Sequence, residues 1–254
     1  MEPQYFFGKH PIEELLASDA GRISKLYIQE NLKSDDTLRA IISKAKDANL
    51  TIVQVPKAKL DQYANDGNHQ GIVALVQQQA FTDIKEWLAG RKSRLIGDQS
   101  GKQDKNELVV VLDELEDPHN VGAIIRTATA GGASAIIFGA RRQAPITGTV
   151  FKASAGTLGK IPLIEVSNIN DSVRKLKDAG FWIASLEAEG KDSLFDAKLD
   201  GSFAIIVGAE GKGVRQKTGE LADFTISIPM ENNTESLNAS VAAALLIYEW
   251  NRKN

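Results

Sequence analysis

The sequence predicts an α/β protein built on a mostly parallel sheet, preceded by a smaller α/β unit. Three observations carry that expectation. Strand and helix signals alternate from Leu108 to Trp250, the pattern of a parallel sheet covered on both faces. Two strand signals, Leu108-Val109-Val110-Val111-Leu112 and Phe203-Ala204-Ile205-Ile206-Val207, are unbroken apolar runs, as strands buried on both faces require. A polar stretch separates this region from a shorter alternation that ends near Gln78.

The first alternation opens with Ile12, Leu15 and Leu16 at helical spacing between Gly8 and Ala17. Lys25-Leu26-Tyr27-Ile28-Gln29 reads as a strand. Asp35 and Asp36 sit where a helix N-cap belongs, ahead of Leu38, Ile41, Ile42 and Ala45. Thr51-Ile52-Val53-Gln54-Val55 is a β-branched strand stopped by Pro56, and Gly71 to Val76 is another. Residues 1–78 therefore form one unit. Residues 79–107 read as a linker with a short helix around Ile84–Leu88, a tether able to let the first unit swing.

The second unit spans 108–254. Its strand at Leu108 is followed by a helix from Asn120 to Ala130, strands Ala135–Phe138 and Pro162–Glu165, and helix Ile169–Ala179. Strands Phe181–Leu186, Phe203–Val207 and Phe224–Ile228 come next, then a strongly apolar helix from Leu237 to Trp250.

Composition bounds the function. Over 254 residues, 43% hydrophobic and 25% charged content is that of a globular chain and excludes wholesale disorder. The net charge of −3 excludes a globally basic nucleic-acid coat but not a local patch. Absence of cysteine removes disulfides, thiolate zinc sites and a cysteine nucleophile. The three histidines, His10, His69 and His119, lie far apart, which speaks against a histidine-rich metal site. No apolar stretch is long enough for a bilayer and Met1-Glu2-Pro3-Gln4 carries no signal-peptide pattern, so the expectation is a cytoplasmic protein with no metal and no membrane partner.

Ligands of open parallel sheets bind at the carboxyl ends of the strands, so polar residues just after strands are the candidates. One group runs from Asp113 to Arg126, with Asn120 at a helix start and Arg126 nearly two turns on. Spacing alone is met by an N-cap and a helical arginine paired to a preceding acid. A second is Gly208-Ala209-Glu210-Gly211-Lys212-Gly213, whose glycines permit positive φ and close backbone approach. It is neither a P-loop nor G-x-G-x-x-G, and Glu210 beside a buried strand needs a partner. A third is Ile228-Pro229-Met230 with Ser236-Leu237-Asn238-Ala239-Ser240, where Ser236 and Asn238 fit an N-cap. No histidine accompanies Ser236, which speaks against a hydrolase triad. Finally Arg141, Arg142, Lys152 and Lys160 fall in a stretch without acids, suited to phosphate contacts.

Together, in this order and ending on an apolar helix, Asn120-Val121-Gly122 with Arg126, Gly208-Ala209-Glu210-Gly211, and Ile228-Pro229-Met230 with Ser236 to Ser240 resemble the three motifs of the SpoU/TrmH branch of SPOUT RNA methyltransferases. Gly8-Lys9-His10-Pro11 and Asn68-His69-Gln70-Gly71 resemble the branch's small ribosomal-protein-like substrate-binding domain. The two-domain form is most similar to members that methylate a guanosine ribose in large-subunit ribosomal RNA. The acidic, amide-rich loop Glu231–Glu235 and Ala239, where valine is common, depart from the family pattern.

The resemblance implies S-adenosylmethionine as methyl donor, a ribose 2′-hydroxyl of ribosomal RNA as acceptor, a homodimer, and a deep trefoil knot in the C-terminal part. It implies that Gly208, Ile228, Met230 and Leu237 line the cofactor pocket and that Arg126 lies at the acceptor hydroxyl. Asn120, Glu210, Ser236 and Asn238 would hold the active-site loops, and Lys9, His10, Asn68, His69, Gln70, Arg141 and Arg142 would contact RNA. The alternatives are a 2′-O-methyltransferase of transfer RNA and a non-catalytic RNA-binding protein of the same fold.

Overall fold

A computed structural model describes residues 4–33, 35–77, 81–97, 106–232 and 234–254. Two compact units result, and each contains a broken stretch of chain. Met1–Ala80 joins Pro145–Lys160 in the first; Phe81–Ala144 joins Ile161–Asn254 in the second.

The first unit holds a sheet of β1 (Gln4–Phe7), β2 (Ile23–Gln29), β3 (Thr51–Val55) and β4 (Ile72–Val76), in the order β1-β4-β2-β3. β4 runs antiparallel to β1 and β2, while β2 and β3 are parallel. Helices α1 (Lys9–Asp19) and α2 (Asp36–Asp47) contribute Ile12, Leu15, Leu38 and Ile41 to the core, with Leu26 from β2. Asp35 caps α2 by accepting from the Leu38 N–H at 2.9 Å. A third helix, α3 (Lys57–Tyr63), sets Leu60 against Val55 and Val73 and stacks Tyr63 on Tyr5. Neither β1 nor α3 was visible as a pattern: β1 has four residues, and α3 offers a single buried anchor in a lysine-rich turn.

The second unit was expected as the continuous stretch 108–254, and the structure corrects this. Within 145–160, α6 (Gly148–Ala153) and its flanks bury Ile146, Val150, Phe151 and Leu158, and Phe151 packs on Phe6 with ring centroids 4.7 Å apart. The Gln4 side chain donates to the Ile146 carbonyl at 3.3 Å. Four apolar residues buried by the first unit outweigh chain continuity with the second.

The linker expectation is corrected too. α4 (Ile84–Gly97) is a helix of 14 residues, and Ile84 and Trp87 are buried in the core of the second unit. Phe81 sets its ring edge on Phe138 and the Thr82 N–H donates to the Leu163 carbonyl at 2.9 Å. The Arg91 guanidinium lies over Phe181, donates to the Ala179 carbonyl and pairs with Glu107. The spacing of Ile84, Trp87 and Leu88 is that of one buried helix face. Residues 98–105 of the expected linker lie outside the described residues.

The second unit's sheet comprises β5 (Leu108–Asp113), β6 (Ala135–Gly139), β7 (Leu163–Val166), β8 (Trp182–Leu186), β9 (Asp192–Ser193), β10 (Phe203–Gly208) and β11 (Phe224–Ser227). The order is β7-β6-β5-β10-β8-β11-β9 and every pair is parallel. Every residue of β5 and β10 is buried, as their apolar runs predicted. Alternate residues (Val109, Val111, Ile206) share a core with α4 and α7 (Ile169–Asp178). α5 (Pro118–Ala130) and α9 (Ala239–Lys253) pack on each other: Ile247 abuts Gly131, where a Cβ would lie 2.5 Å from its methyl group. α5 starts at Pro118 rather than Asn120, because Asp117 is the cap and proline suits the first helical turn. Among the described residues no helix is long and apolar enough to cross a membrane.

Trp87→Ala should destabilise the second unit by about 3–5 kcal/mol through the cavity it leaves. Denaturant unfolding of the full chain measures this; an unchanged midpoint would restore the tether reading.

Candidate active site

A cleft of about 520 Å³ opens where β8, β10 and β11 end. Its walls are the residues just past those strands: Leu186 to Ala188, Gly208 to Gly211, and Ile228 with Met230, closed by Glu235 to Ala239 at the start of α9. Parallel strands expose their last carbonyls and loops at one edge, so the position follows from the topology.

The Gly208 turn is compact. A Cβ on Gly208 would sit 2.1 Å from the Gly213 carbonyl carbon, which no side chain tolerates. Gly211 and Gly213 adopt φ of 72° and 66°, and the Gly213 N–H closes the turn on the Ala209 carbonyl at 2.8 Å. This turn presents Glu210.

Asn238 joins the three motif groups. As the N-cap of α9 its Oδ1 accepts from the backbone of Ser240 (3.0 Å) and Val241 (3.4 Å). Its amide donates to Asn120 Oδ1 at 2.9 Å and to Glu210 Oε1 at 2.6 Å. Asn120, buried in the first turn of α5, and the exposed Glu210 are thereby held to one nitrogen. Glu210 is thus exposed rather than buried, and this amide is its side-chain partner across the motifs.

Gly208, Glu210, Ile228, Met230, Ser236, Leu237 and Asn238 all line the cleft, and Asn120 is tied to its rim. Arg126 does not line it. It is exposed on α5 and has no hydrogen-bond or ion-pair partner among the described residues, so it is not the helical arginine bound to a preceding acid that spacing allowed. Arg215 takes that acid instead. It binds the fully buried Asp113 and also Glu114. Glu187, which accepts from Ser185 Oγ at 2.6 Å, also faces the cleft. Arg215 and Glu187 lie outside the three motif groups of the sequence, whereas Asp113 opens the first of them as the acid that closes the apolar run of β5.

In the first unit the two motif loops meet: the Lys9 N–H donates to Gln70 Oε1 at 2.9 Å. His10, Asn68 and Gln70 are exposed, while the Lys9 ammonium is paired with Asp35. His69 is the exception and a correction. It is 5% exposed, its Nδ1 accepts from the Gly71 N–H at 2.9 Å, and its Nε2 lies 2.9 Å from Asp61. With Nδ1 accepting, Nε2 carries the proton and donates to the carboxylate, so both nitrogens serve the fold and neither is left for a base edge. Arg141 and Arg142 are exposed in the second unit, Arg142 reaching Glu114 at 3.3 Å; Lys152 and Lys160 belong to the first.

The family model described as the SpoU rRNA Methylase family matches residues 107–248, and one for RNA 2′-O ribose methyltransferase substrate binding matches 5–82. A Staphylococcus epidermidis protein assigned by name to the TrmH family of tRNA/rRNA methyltransferases is 40% identical over 253 residues, 100% of this chain and 97% of its own. The SpoU methyltransferase AviRb of Streptomyces viridochromogenes, solved in complex with the cofactor AdoMet, is similar in fold, with a TM-score of 0.74 at 23% identity over 98% of this chain and 89% of its own. An AdoMet-bound rRNA methyltransferase of Sinorhizobium meliloti gives 0.74 at 22% over 98% and 87%.

The Asn238 bridge is testable by itself. Asn238→Asp keeps a capping oxygen but sets carboxylate against carboxylate, and adding Glu210→Gln should return most of the stability lost. A double-mutant cycle by denaturant unfolding should give a coupling of about 1 kcal/mol; strict additivity would mean the two side chains do not meet.

Proposed function

Taking as premise that this chain belongs to the SpoU rRNA methylase family, we propose that it transfers a methyl group from S-adenosylmethionine to the 2′-hydroxyl of a guanosine in large-subunit ribosomal RNA. The observation that carries the reading is the convergence of the Gly208 turn, the Ile228–Met230 loop and the Asn238 cap on one cleft.

The cleft suits the donor. Its volume lies in the range of small-molecule sites, about 300–1,000 Å³. Ile228, Met230 and Leu237 offer apolar surface for the adenine, and backbone groups of the surrounding loops offer hydrogen bonds to its edge. When bound, S-adenosylmethionine supplies a methyl group on a sulfonium, open to displacement by oxygen. What remains for the protein is placement and charge. Asn120, Glu210, Ser236 and Asn238 hold the loops. Arg126 supplies a fixed positive charge on a planar fork, which lysine lacks, for the adjacent phosphate and the developing alkoxide. A guanidinium is a poor base, so we assign it no proton transfer. Among the described residues no acid pairs with it, so none of them competes with the incoming anion, which favours this role. Proximity of donor and acceptor supplies much of the remaining acceleration.

For the RNA we assign Lys9, His10, Asn68 and Gln70 at the joined loops of the first unit, and Arg141 and Arg142 in the second, as contacts to an unstacked loop and its phosphates. Val241, Leu245 and Tyr248 are 48%, 39% and 51% exposed at i, i+4 and i+7 of α9, a stripe that supports a homodimer through this helix. The trefoil knot and a cytoplasmic location belong to the same proposal. Transfer RNA is the second reading, favoured by the relatives' name, which covers both RNAs.

Ribose-methylation mapping of total RNA from deletion and wild-type cells should show one guanosine of large-subunit RNA losing its mark; loss confined to transfer RNA would replace the first reading by the second. Arg126→Ala and Arg126→Lys should each nearly abolish transfer while donor affinity, read by calorimetry, stays close to normal. Most activity surviving in either variant would refute the role. A solution mass of one chain at micromolar concentration would sink the dimer.

A further inference from the structure

We infer that the ion pair between Asp113 and Arg215 is a positioning latch that holds the Gly208–Gly213 turn, and with it the Glu210 carboxylate, at the cleft. The latch bears on catalysis only if the methyl-donor reading holds; its geometry stands without it.

Asp113 ends β5 and its side chain is fully buried. A carboxylate so far from water needs charge-assisted partners on both oxygens. Arg215 supplies them. Its Nε and Nη2 lie 2.9 and 2.6 Å from Oδ1, and its backbone N–H donates to Oδ2 at 3.1 Å. Nη1 turns to Glu114 Oε1 at 3.0 Å. The planar fork serves two successive acids at once, which a point-like ammonium cannot do. The bond to Asp113 is the main cause that holds the Arg215 guanidinium above its usual pKa, against the cost of desolvation.

Placement gives the pair its purpose. Asp113 is the register partner of Gly208, where the turn leaves β10. Arg215 lies two residues past Gly213, where the turn ends. The pair therefore fastens the outgoing end of the turn to the strand beside its incoming end. The helix that follows, α8 (Gln216–Gly219), has four residues and gets no side-chain cap from Arg215 at its N-cap, so it adds little anchorage. Between the two ends lie Gly211 and Gly213, the residues with most backbone freedom to lose. Released at Arg215, the turn would carry Glu210 away from the Asn238 amide. Neither Asp113 nor Arg215 lines the cleft, so both act through the turn.

The test uses the full chain with two variants. Arg215→Lys keeps the charge and loses the fork. The double variant Asp113→Ala with Arg215→Ala removes both charges, so no buried carboxylate is left alone if the single change impairs folding. Ligand-free hydrogen exchange reads the latch; kcat and KM for RNA read its consequence. Amides of residues 209–214 should exchange roughly tenfold faster or more in both variants, with β5 and α9 unchanged. The kcat should fall roughly tenfold or more while KM for RNA stays within about threefold. Unchanged exchange in the turn, or exchange rising uniformly along the chain, would overturn the latch, the second by making the pair a general core element. So would a faster turn with wild-type kcat in an active enzyme. If wild-type protein neither binds S-adenosylhomocysteine nor transfers methyl, yet the turn loosens in the variants, the donor reading fails and the latch stands.

Discussion

Burying β5 and β10 on both faces is the constraint from which the site follows. Neither strand has a residue that reaches solvent, so polar chemistry is pushed to the strand ends. There Asp113 and Gly208 lie opposite each other in register. One is a carboxylate that must find a cation; the other is a glycine that must admit the backbone of its own turn. Satisfying both shapes the loop that presents Glu210. The α9 cap then closes on that carboxylate, because a helix N-terminus needs a side-chain acceptor and Asn238 has a donor to spare.

Much of this was legible. Unbroken apolar runs declared the central strands, and alternation with helices declared a parallel sheet. The turn glycines announced positive φ, met at Gly211 and Gly213. What stayed hidden shares a cause: elements whose reason lies in a distant partner. β1 has four residues and takes its meaning from β4. α4 looked like tether because its charged face dominates the composition, although Ile84 and Trp87 sit in a core built by strands that come later in the chain. Residues 145–160 follow β6 in sequence, yet their apolar side chains are buried by the first unit.

The histidines show the limit of reading residue types. His10 and His69 stand in equivalent-looking motif loops, and both were assigned to RNA. One is exposed on the first turn of α1; the other is buried between the Gly71 N–H and Asp61. No local pattern separates them, since the discriminating groups are a backbone amide two residues on and an acid eight residues back.

Arginines make the same point with more consequence. Arg215 ends the turn that follows β10, Arg126 sits in the middle of α5, and both are exposed. Arg215 is spent: two acids hold its guanidinium, its backbone N–H donates to one of them, and its charge is balanced inside the protein. Arg126 has no side-chain partner among the described residues, and it sits on a helix whose first turn is fastened to the cleft by Asn120. A charge already neutralised by a buried acid offers an incoming anion little, because the new contact must displace a stronger one. An exposed charge without a partner loses only water. The division of labour between the two therefore follows from which acid each can reach.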